Sequence, residues 1–392
     1  MKEFSALRVF LLFILLVAVT ISLSHLSTVL WGGKPEQLPA SKELVFREGM
    51  SVMDFGSLNN LSNPELKKIL DLKTKSDLQK PIESFGLSKE QIRTKVDKAL
   101  TLEAEHESKN WIKIPVKFVT WFIFLGIVFR MMRKVKITVR TRKIFYLAAI
   151  ILFGIVLGSD PSPMGTIKDA LHLYGSKKVI FPPRMIALAI FLLIVFLANK
   201  FICSWGCQLG TLQDLIFRLN RNSKDTKGIL RQFKIPFSVS NGLRISFFTI
   251  FTILAFGWAL DIIDPIDPFK VYKPAVLNSA GVTFSSVVLV ASLFVYRPWC
   301  QLFCPFGLVG WLLEKISIFK INVDYETCIA CEACSKACPA TVMGAILKQN
   351  RTIPDCFACG TCINVCPTDS IRFEAKKRNK PPEDKFNGAS KK

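Results

Sequence analysis

The chain has 392 residues, half of them hydrophobic, and a mean hydropathy of +0.35 that argues against a purely soluble protein. Its 52 Lys and Arg outnumber its 30 Asp and Glu, and the excess lies in loops between apolar runs, which indicates membrane topology rather than nucleic-acid binding. Three His and no C-x-x-C-H exclude multi-haem cytochromes, and twelve Cys in four tight groups are unlike disulfide-stapled secreted domains.

Six apolar segments approach the roughly 20 residues that a membrane-spanning helix needs. They cover residues 7–31, 111–132, 144–159, 185–201, 242–260 and 274–296. The first is longer than a signal-peptide core and lacks a clean cleavage site, which favours an uncleaved anchor. In the second, Lys113, Lys117 and Arg130 are expected to extend toward the helix ends.

Charge in the short loops predicts the orientation. Residues 130–143 hold seven basic residues and no acidic one, and residues 200–234 are also basic, whereas the loops at 160–184 and 261–273 carry several Asp. The positive-inside rule then predicts a multi-pass protein of a bacterial inner membrane, with both termini and all twelve Cys on the cytoplasmic side.

The segment between the first two apolar runs, residues 32–110, is placed outside. Ser51, Ser62 and Ser88 are each followed three residues later by an acidic or amide side chain, which is typical of helix N-termini. The segment therefore predicts a small helical domain that serves as a docking surface or spacer.

Two short cysteine motifs follow the fourth and sixth apolar segments. They are Cys203-Ser-Trp-Gly-Cys207 and Cys300-Gln-Leu-Phe-Cys304, and Gly210 and Gly307 follow them. Corresponding residues are separated by 97 positions, which predicts a duplicated helical hairpin. Each motif is expected where a helix reaches the cytoplasm, before an amphipathic helix lying in the interface plane.

Three roles are open for these four Cys. If Cys at i and i+4 share one helix face, two such helices offer four thiolates to a further iron–sulfur cluster or metal. The alternatives are a redox dithiol pair and buried Cys that only pack. The neighbouring aromatic residues are expected to form an interfacial belt, and they are Trp205, Trp299, Phe303 and Phe306.

The C-terminal region contains two complete C-x2-C-x2-C-x3-C-P runs, the spacing of a bacterial two-cluster ferredoxin. In that arrangement the fourth Cys of each run ligates the other cluster. The first [4Fe-4S] cluster is assigned to Cys328, Cys331, Cys334 and Cys366, and the second to Cys356, Cys359, Cys362 and Cys338. A zinc ribbon, the alternative, does not require doubled triplets ending in Cys-Pro.

The predicted fold is an α-helical polytopic membrane protein of about six spans, with a cytoplasmic 2[4Fe-4S] ferredoxin α+β domain. The predicted domains are an anchor (1–31), an outer helical domain (32–110), a five-helix membrane domain (111–323), the ferredoxin domain (324–373) and a basic disordered tail (374–392). The tail is expected on anionic lipid, and nothing indicates nucleic acid.

Residues 145–373 resemble the NapH/NosR-type membrane iron–sulfur proteins, through residues 157–165, residues 199–207 and the double cluster run. Gln208 departs from the Pro of the family's C-x3-C-P pattern, which Pro305 keeps. The resemblance implies electron transfer between the quinone pool, or a cytoplasmic donor, and a respiratory redox partner, with the chain as an electron-transfer subunit.

A maturation or redox-regulatory factor for a respiratory metalloenzyme is the alternative function. Four carboxylates lie at the outer ends of the third and fifth segments: Asp160, Asp261, Asp264 and Asp267. They are candidates for a proton or quinone role, or for structural turns with the adjacent prolines.

Overall fold

The computed structural model describes residues 2–31, 44–383 and 385–386, so residues 32–43 of the predicted outer domain lie outside the description. After the long apolar helix α1 (Lys2–Trp31), a small domain with its own apolar core contains α2 (Val52–Leu58), α3 (Asn63–Leu70) and α4 (Lys89–Glu107). As the sequence predicts, Ser51, Ser62 and Ser88 cap these helices by accepting backbone N–H groups.

A helical bundle follows this domain. Its members are α5 (Lys113–Arg133), α6 (Val139–Ala149), α7 (Pro163–Lys177), α8 (Pro182–Ala198), α9 (Phe201–Trp205), α10 (Gln208–Leu219), α11 (Phe237–Gly257), α12 (Ser279–Ala291), α13 (Pro298–Leu302) and α14 (Pro305–Glu314). A π-helical stretch, Ile150–Val156, continues α6. The predicted apolar segments coincide with helices, whereas α7 lies in a predicted loop.

Three of the described helices are long and apolar enough to cross a membrane: α1 over Ala6–Trp31, α5 and α11. The apolar helices α8 and α12 are shorter. The helices are therefore compatible with a membrane protein, while six spans and their orientation stay predictions.

Two domains lie at opposite ends of the bundle, as contacts along α8 show. Near its start, Arg184 pairs with Glu105 of α4 at 2.9 Å. Near its end, the N–H of Ile318 donates to the carbonyl of Phe196 at 2.9 Å, just before the C-terminal domain begins. We call the end beside α4 the outer end and the other the inner end.

After α8 reaches the inner end, the chain turns back into the bundle through α9 and returns as α10. The ring of Phe201 lies 5.9 Å from that of Phe129 near the inner end of α5. Five residues later, the Gly206 carbonyl accepts a 2.9 Å hydrogen bond from Trp121, which lies in the outer half of α5. The first cysteine motif therefore lies inside the bundle, about midway along its length.

The second repeat follows the same path. The Trp299 ring contacts that of Phe247 at the middle of α11, at 6.5 Å, and Phe306 contacts Phe191 midway along α8, at 6.4 Å. At the inner end of α14, the Glu314 carboxylate accepts from the N–H of Cys356 at 3.2 Å. The prediction that both motifs lie at the cytoplasmic ends of helices is corrected: α9–α10 and α13–α14 are re-entrant pairs.

The helix after the first motif does not lie in an interface plane either. Every residue of α10 from Gln208 to Arg218 is buried, so its polar side chains face other parts of the protein. Lys117 of α5 extends toward the outer end of its helix, but its ammonium is buried there and donates to the carbonyls of Gly158 and Pro161.

The C-terminal domain is held by a two-stranded antiparallel sheet, β1 (Lys320–Val323) with β2 (Ile371–Glu374), in which Lys320 is opposite Glu374. It therefore begins four residues before the predicted boundary. Its short helices are α15 (Ala333–Ala337), α16 (Val342–Lys348) and α17 (Thr361–Val365).

The beginning of the predicted disordered tail packs on this sheet. Arg378 donates to the Ile321 carbonyl at 3.0 Å, and Asn322 donates to that of Lys376 at 3.0 Å. These polar contacts with β1 order the chain beyond residue 374. Residues 387–392, with the last two Lys of the basic tail, lie outside the described part.

Candidate iron–sulfur centres

The two cysteine runs of the C-terminal domain wind through the same backbone conformations. Ala330 and Ala358 precede the second Cys of each run with φ of 53° and 49°, and Glu332 and Gly360 follow it with φ of 54° and 73°. The third Cys of each run then lies in α15 or α17, which pack against each other. This repeated winding turns three sulfurs of each run toward one side.

The first cavity, of about 330 Å³, faces solvent. Its lining is partly exposed: Cys331 is exposed, and Ile329 beside it is 62% exposed. The Cys that line it are Cys328, Cys331, Cys334 and Cys366.

The second cavity, of about 370 Å³, faces the bundle. Tyr296, between α12 and α13, contributes to its wall. The Cys that line it are Cys338, Cys356, Cys359 and Cys362. Each cavity thus takes three Cys from one run and the fourth from the other, which is the grouping that the spacing predicts for two clusters.

Burial makes Cys334 and Cys356 unfavourable to ionise without a cationic partner. It raises the pKa of Cys334 to about 12, and the neighbouring thiols Cys366, Cys328 and Cys331 act in the same direction. Burial likewise raises the pKa of Cys356 to about 12. Metal ligation requires deprotonated thiols, so the sites suit a group that supplies positive charge, such as the iron of a cluster.

The spacing of the side chains fits a cluster better than a single ion. Among the described residues, no three His, Cys, Asp or Glu side chains converge closely enough to hold one metal ion. A tetrahedral zinc site would bring its thiolates onto one ion, whereas irons at the corners of a cubane hold them farther apart. The lining of each cavity by four Cys agrees with the second arrangement.

The other four Cys, which we call the motif thiols, are free and buried within the bundle: Cys203, Cys207, Cys300 and Cys304. The prediction that the two Cys of a motif lie at i and i+4 on one continuous helix is wrong. Instead, the first lies in α9 or α13 and the second precedes α10 or α14.

The glycine that follows each motif allows a close turn between these short helices. A Cβ at Gly210 would lie 2.5 Å from the Cys203 carbonyl oxygen, and one at Gly307 would lie 2.7 Å from that of Cys300. No side chain fits at such distances. The duplicated glycines therefore fix the fold of both re-entrant pairs.

Two buried cations connect the motifs to each other. Lys200 and Arg297 each lie three residues before the first Cys of a motif, and both are fully buried. Lys200 donates to the carbonyl of Gly307 at 2.7 Å, and Arg297 donates to that of Cys203 at 2.6 Å. Each repeat thus bonds the backbone of the other, and the 97-residue repeat could have revealed this pair from the sequence.

The loop that carries Cys356 packs against these two cations. Asp355 pairs with Lys200 and, at 2.9 Å, with Arg244 of α11. The ring of Phe357 lies 5.0 Å from the Lys200 ammonium and 5.0 Å from the Arg297 guanidinium. The second cavity is therefore joined to both cysteine motifs by direct contacts, which the sequence analysis missed.

The aromatic residues near the motifs do not form an interfacial belt. Trp205, Trp299 and Phe306 are buried, and Trp205 donates to the Ala358 carbonyl at 3.1 Å. Phe303 is partly buried, 5.3 Å from Phe247 of α11. Three of the four rings are therefore packed inside the protein, and Trp205 connects the first motif to the loop of the second cavity.

The carboxylates considered for a proton or quinone role form ion pairs at the outer end. Lys168 of α7 lies within 4 Å of Asp261, Asp264 and Asp267, and Asp160 pairs with Lys273. Asp267 also accepts from the N–H of Phe269, as the turn interpretation predicts. Burial raises the pKa of Asp267 to about 6, against the effect of Lys168.

Family models agree with the iron–sulfur chemistry of these sites. A model described as a 4Fe-4S dicluster domain matches residues 320–367, which contain all eight cavity Cys. Another, described as a 4Fe-4S binding domain, matches twice, at residues 180–227 and 277–323. Each copy contains one C-x3-C motif, and the copies start 97 residues apart, in agreement with the predicted duplication.

Three curated proteins are similar to parts of the chain. The "Putative electron transport protein YccM" of Escherichia coli (strain K12) is 32% identical over 187 residues, which are 46% of this chain and 52% of YccM. Two uncharacterized proteins of Methanocaldococcus jannaschii are each 22% identical: MJ0749 over 58% of this chain and 82% of its own length, and MJ0750 over 40% and 65%.

No solved structure matches the chain. The match with YccM spans about half of that protein's length. Together, the family models and YccM support an iron–sulfur protein of electron transfer with 4Fe-4S domains at its C-terminus. The narrower NapH/NosR-type resemblance stays a prediction.

Proposed function

We propose that the chain is a membrane-bound electron-transfer protein whose C-terminal domain holds one [4Fe-4S] cluster in each of its two cysteine cavities. The observation that carries the proposal is the lining of each cavity, with three Cys from one run and the fourth from the other. When bound, each cluster can take up and release one electron. The partners would be a cytoplasmic donor or the quinone pool, and a respiratory redox protein.

The placement of the cavities supports a path from solvent toward the bundle. Cys331 gives the first cavity an exposed edge, which a soluble redox protein can approach. The second cavity borders the bundle through Tyr296, and three of its four Cys are buried. The chain thus holds its two cofactor sites in a fixed order between the solvent and the cysteine motifs.

Anaerobic purification of the full chain with two variants tests the proposal. Cys331→Ser alters the first cavity and Cys359→Ser the second, so each should lose up to about four irons and sulfides per chain. The reduced wild type should show the EPR signature of two interacting clusters, and each variant the signature of one cluster without its partner.

Ser370→Ala is the matched control, because Ser370 is buried in the same domain and lines neither cavity. It should retain the full iron content. Zinc without iron in the wild type, or iron that is unchanged in both Cys variants, would refute the cluster assignment. Extraction of the protein from membranes by alkaline carbonate would refute the membrane-spanning part.

A further inference from the structure

The motif thiols form a second group of candidate ligands, separate from the two cavities. All four are buried, none is in a disulfide, and they come in equal number from the two repeats. Packing alone does not require two Cys at matching positions in both repeats, each beside a glycine that admits no side chain. The arrangement instead brings four soft ligands together from two symmetric elements.

Contacts between the repeats bring the two pairs of thiols together. Arg297, from the second repeat, bonds the carbonyl of Cys203 itself, at 2.6 Å. The side chain of Gln213 in α10 accepts from the N–H of Trp299, the residue before Cys300, at 3.2 Å. Since each bond involves a motif Cys or its direct neighbour, the two motifs lie beside each other within the bundle.

The charges around the motif thiols are incompletely balanced by the protein. Lys200, Arg244 and Arg297 are fully buried beside the motifs. Lys200 and Arg244 share the single carboxylate Asp355.

Arg297 shares Asp214 with Arg218, which also pairs with Asp225, and Asp225 pairs in turn with Arg142 and Arg221. With the Asp355 group included, six buried cations share three carboxylates in the described part. The Nε of Arg244 also lacks a hydrogen-bond partner. Because uncompensated buried charge is costly, this region suits a bound group with negative charge.

We propose that the motif thiols together hold one iron–sulfur cluster, shared by the two repeats and located inside the helical bundle. Four thiolates with iron and sulfide carry net negative charge, which the surrounding cations would offset. The proposal extends the proposed function, because it adds a third redox site beyond the second cavity. A dithiol pair would leave each motif with its own chemistry, whereas a shared cluster requires all four sulfurs.

Iron and sulfide content of the full chain, purified without oxygen, tests this proposal together with three variants. The wild type should contain about 12 irons if the third cluster has four irons, or about 10 if it has two, against about 8 without it. Mössbauer spectra distinguish the first two results, and both support the proposal. A wild type with about 8 irons and four alkylatable motif thiols would overturn it.

Single and double Cys variants test whether the two motifs share one cluster. Cys203→Ser and Cys300→Ser should each remove the same cluster, so the double variant should lose no more iron than either single one. A double variant that loses twice as much would overturn sharing, because each motif would then hold its own metal. Ser204→Ala, beside Cys203 in the same buried helix, is the control and should keep all its iron.

EPR spectra distinguish the loss of the third cluster from the loss of the two ferredoxin-type clusters. The EPR signature of the two ferredoxin-type clusters should persist in the Cys203→Ser variant, which also shows that the variant has folded. If Cys203→Ser instead left the iron unchanged while Cys331→Ser and Cys359→Ser removed it, the proposed function would stand and the third cluster would be refuted.

Discussion

The two ends of the bundle differ in the balance between cations and carboxylates. At the outer end, Lys168 lies within 4 Å of the four carboxylates Asp169, Asp261, Asp264 and Asp267. Arg184 also pairs with Asp169, and Lys270 with Asp264. At the inner end, six buried cations share three carboxylates in the described part: Arg142, Lys200, Arg218, Arg221, Arg244 and Arg297 with Asp214, Asp225 and Asp355.

This difference indicates what each end is built to hold. The outer end is balanced by the protein's own side chains and closes the turns between α7, α11 and α12. The inner end keeps positive charge beside two groups of Cys, as a site for anionic cofactors requires. Under the proposed cluster assignments, similar ion pairs thus serve structure at one end and cofactor binding at the other.

The largest effect is expected from Lys168→Met at the outer end. The change leaves a cluster of partly buried carboxylates without its central cation, so the free energy of unfolding should fall by about 3–5 kcal/mol. Thermal or denaturant unfolding in detergent measures this loss. Lys270→Met, which removes a more exposed partner of Asp264, should cost about 0–1 kcal/mol.

The pH dependence of that loss sharpens the comparison. The folded-state pKa of Asp267, about 6, exceeds the ordinary value of 3.8, so its protonated form favours folding. The stability it contributes is fully present below about 3.8 and is lost as the pH rises through about 6. Without Lys168, the Asp267 carboxyl holds its proton more strongly. The loss of unfolding free energy caused by Lys168→Met should therefore be smaller at pH 5 than at pH 7. An equal loss of unfolding free energy at pH 5 and pH 7 would contradict the titration of Asp267 in this range.

A smaller loss is expected where the re-entrant pairs turn. Gly210→Ala places a Cβ 2.5 Å from the backbone oxygen of Cys203, and overpacking of this kind typically costs about 1–3 kcal/mol. Gly242→Ala in α11 meets no atom within 4 Å and should instead stabilise that helix by about 0.5–1 kcal/mol. Matched unfolding curves give both values, and equal effects would show that the turn tolerates a side chain.

The smallest effect is expected at the inner end. Asp355→Asn removes a negative charge beside Cys356, which should favour the reduced cluster and raise its potential by roughly tens of millivolts. Redox titration followed by EPR measures this shift. Asp71→Asn removes the same charge from the exposed C-terminus of α3 in the outer domain and should leave the potential unchanged. A lower potential in Asp355→Asn would contradict the charge argument.

Sequence patterns predicted those features that depend on local spacing. The helix caps at Ser51, Ser62 and Ser88, the apolar helices and the repeat of 97 residues all follow from neighbouring residue types. The grouping of the eight ferredoxin-type Cys into two sets of four also matches the lining of the two cavities.

The depth of the cysteine motifs could not be predicted in the same way. Asp214 and Arg218 give α10 the pattern of a surface helix, but both side chains are fully buried and pair with each other and with Arg297. A pattern records where polar residues occur and not whether a distant cation meets them. The partners of Asp214 lie up to 83 positions away along the chain.

The seating of residues 355–358 has a consequence for how the protein is assembled. Bonds to Asp355 and Ala358 fasten both sides of Cys356 to the bundle, and Glu314 holds its N–H. Iron and sulfide can then reach the second cavity through its bundle-facing wall only while the C-terminal domain is still undocked. We therefore expect cofactor loading of the second cavity to precede docking of the C-terminal domain.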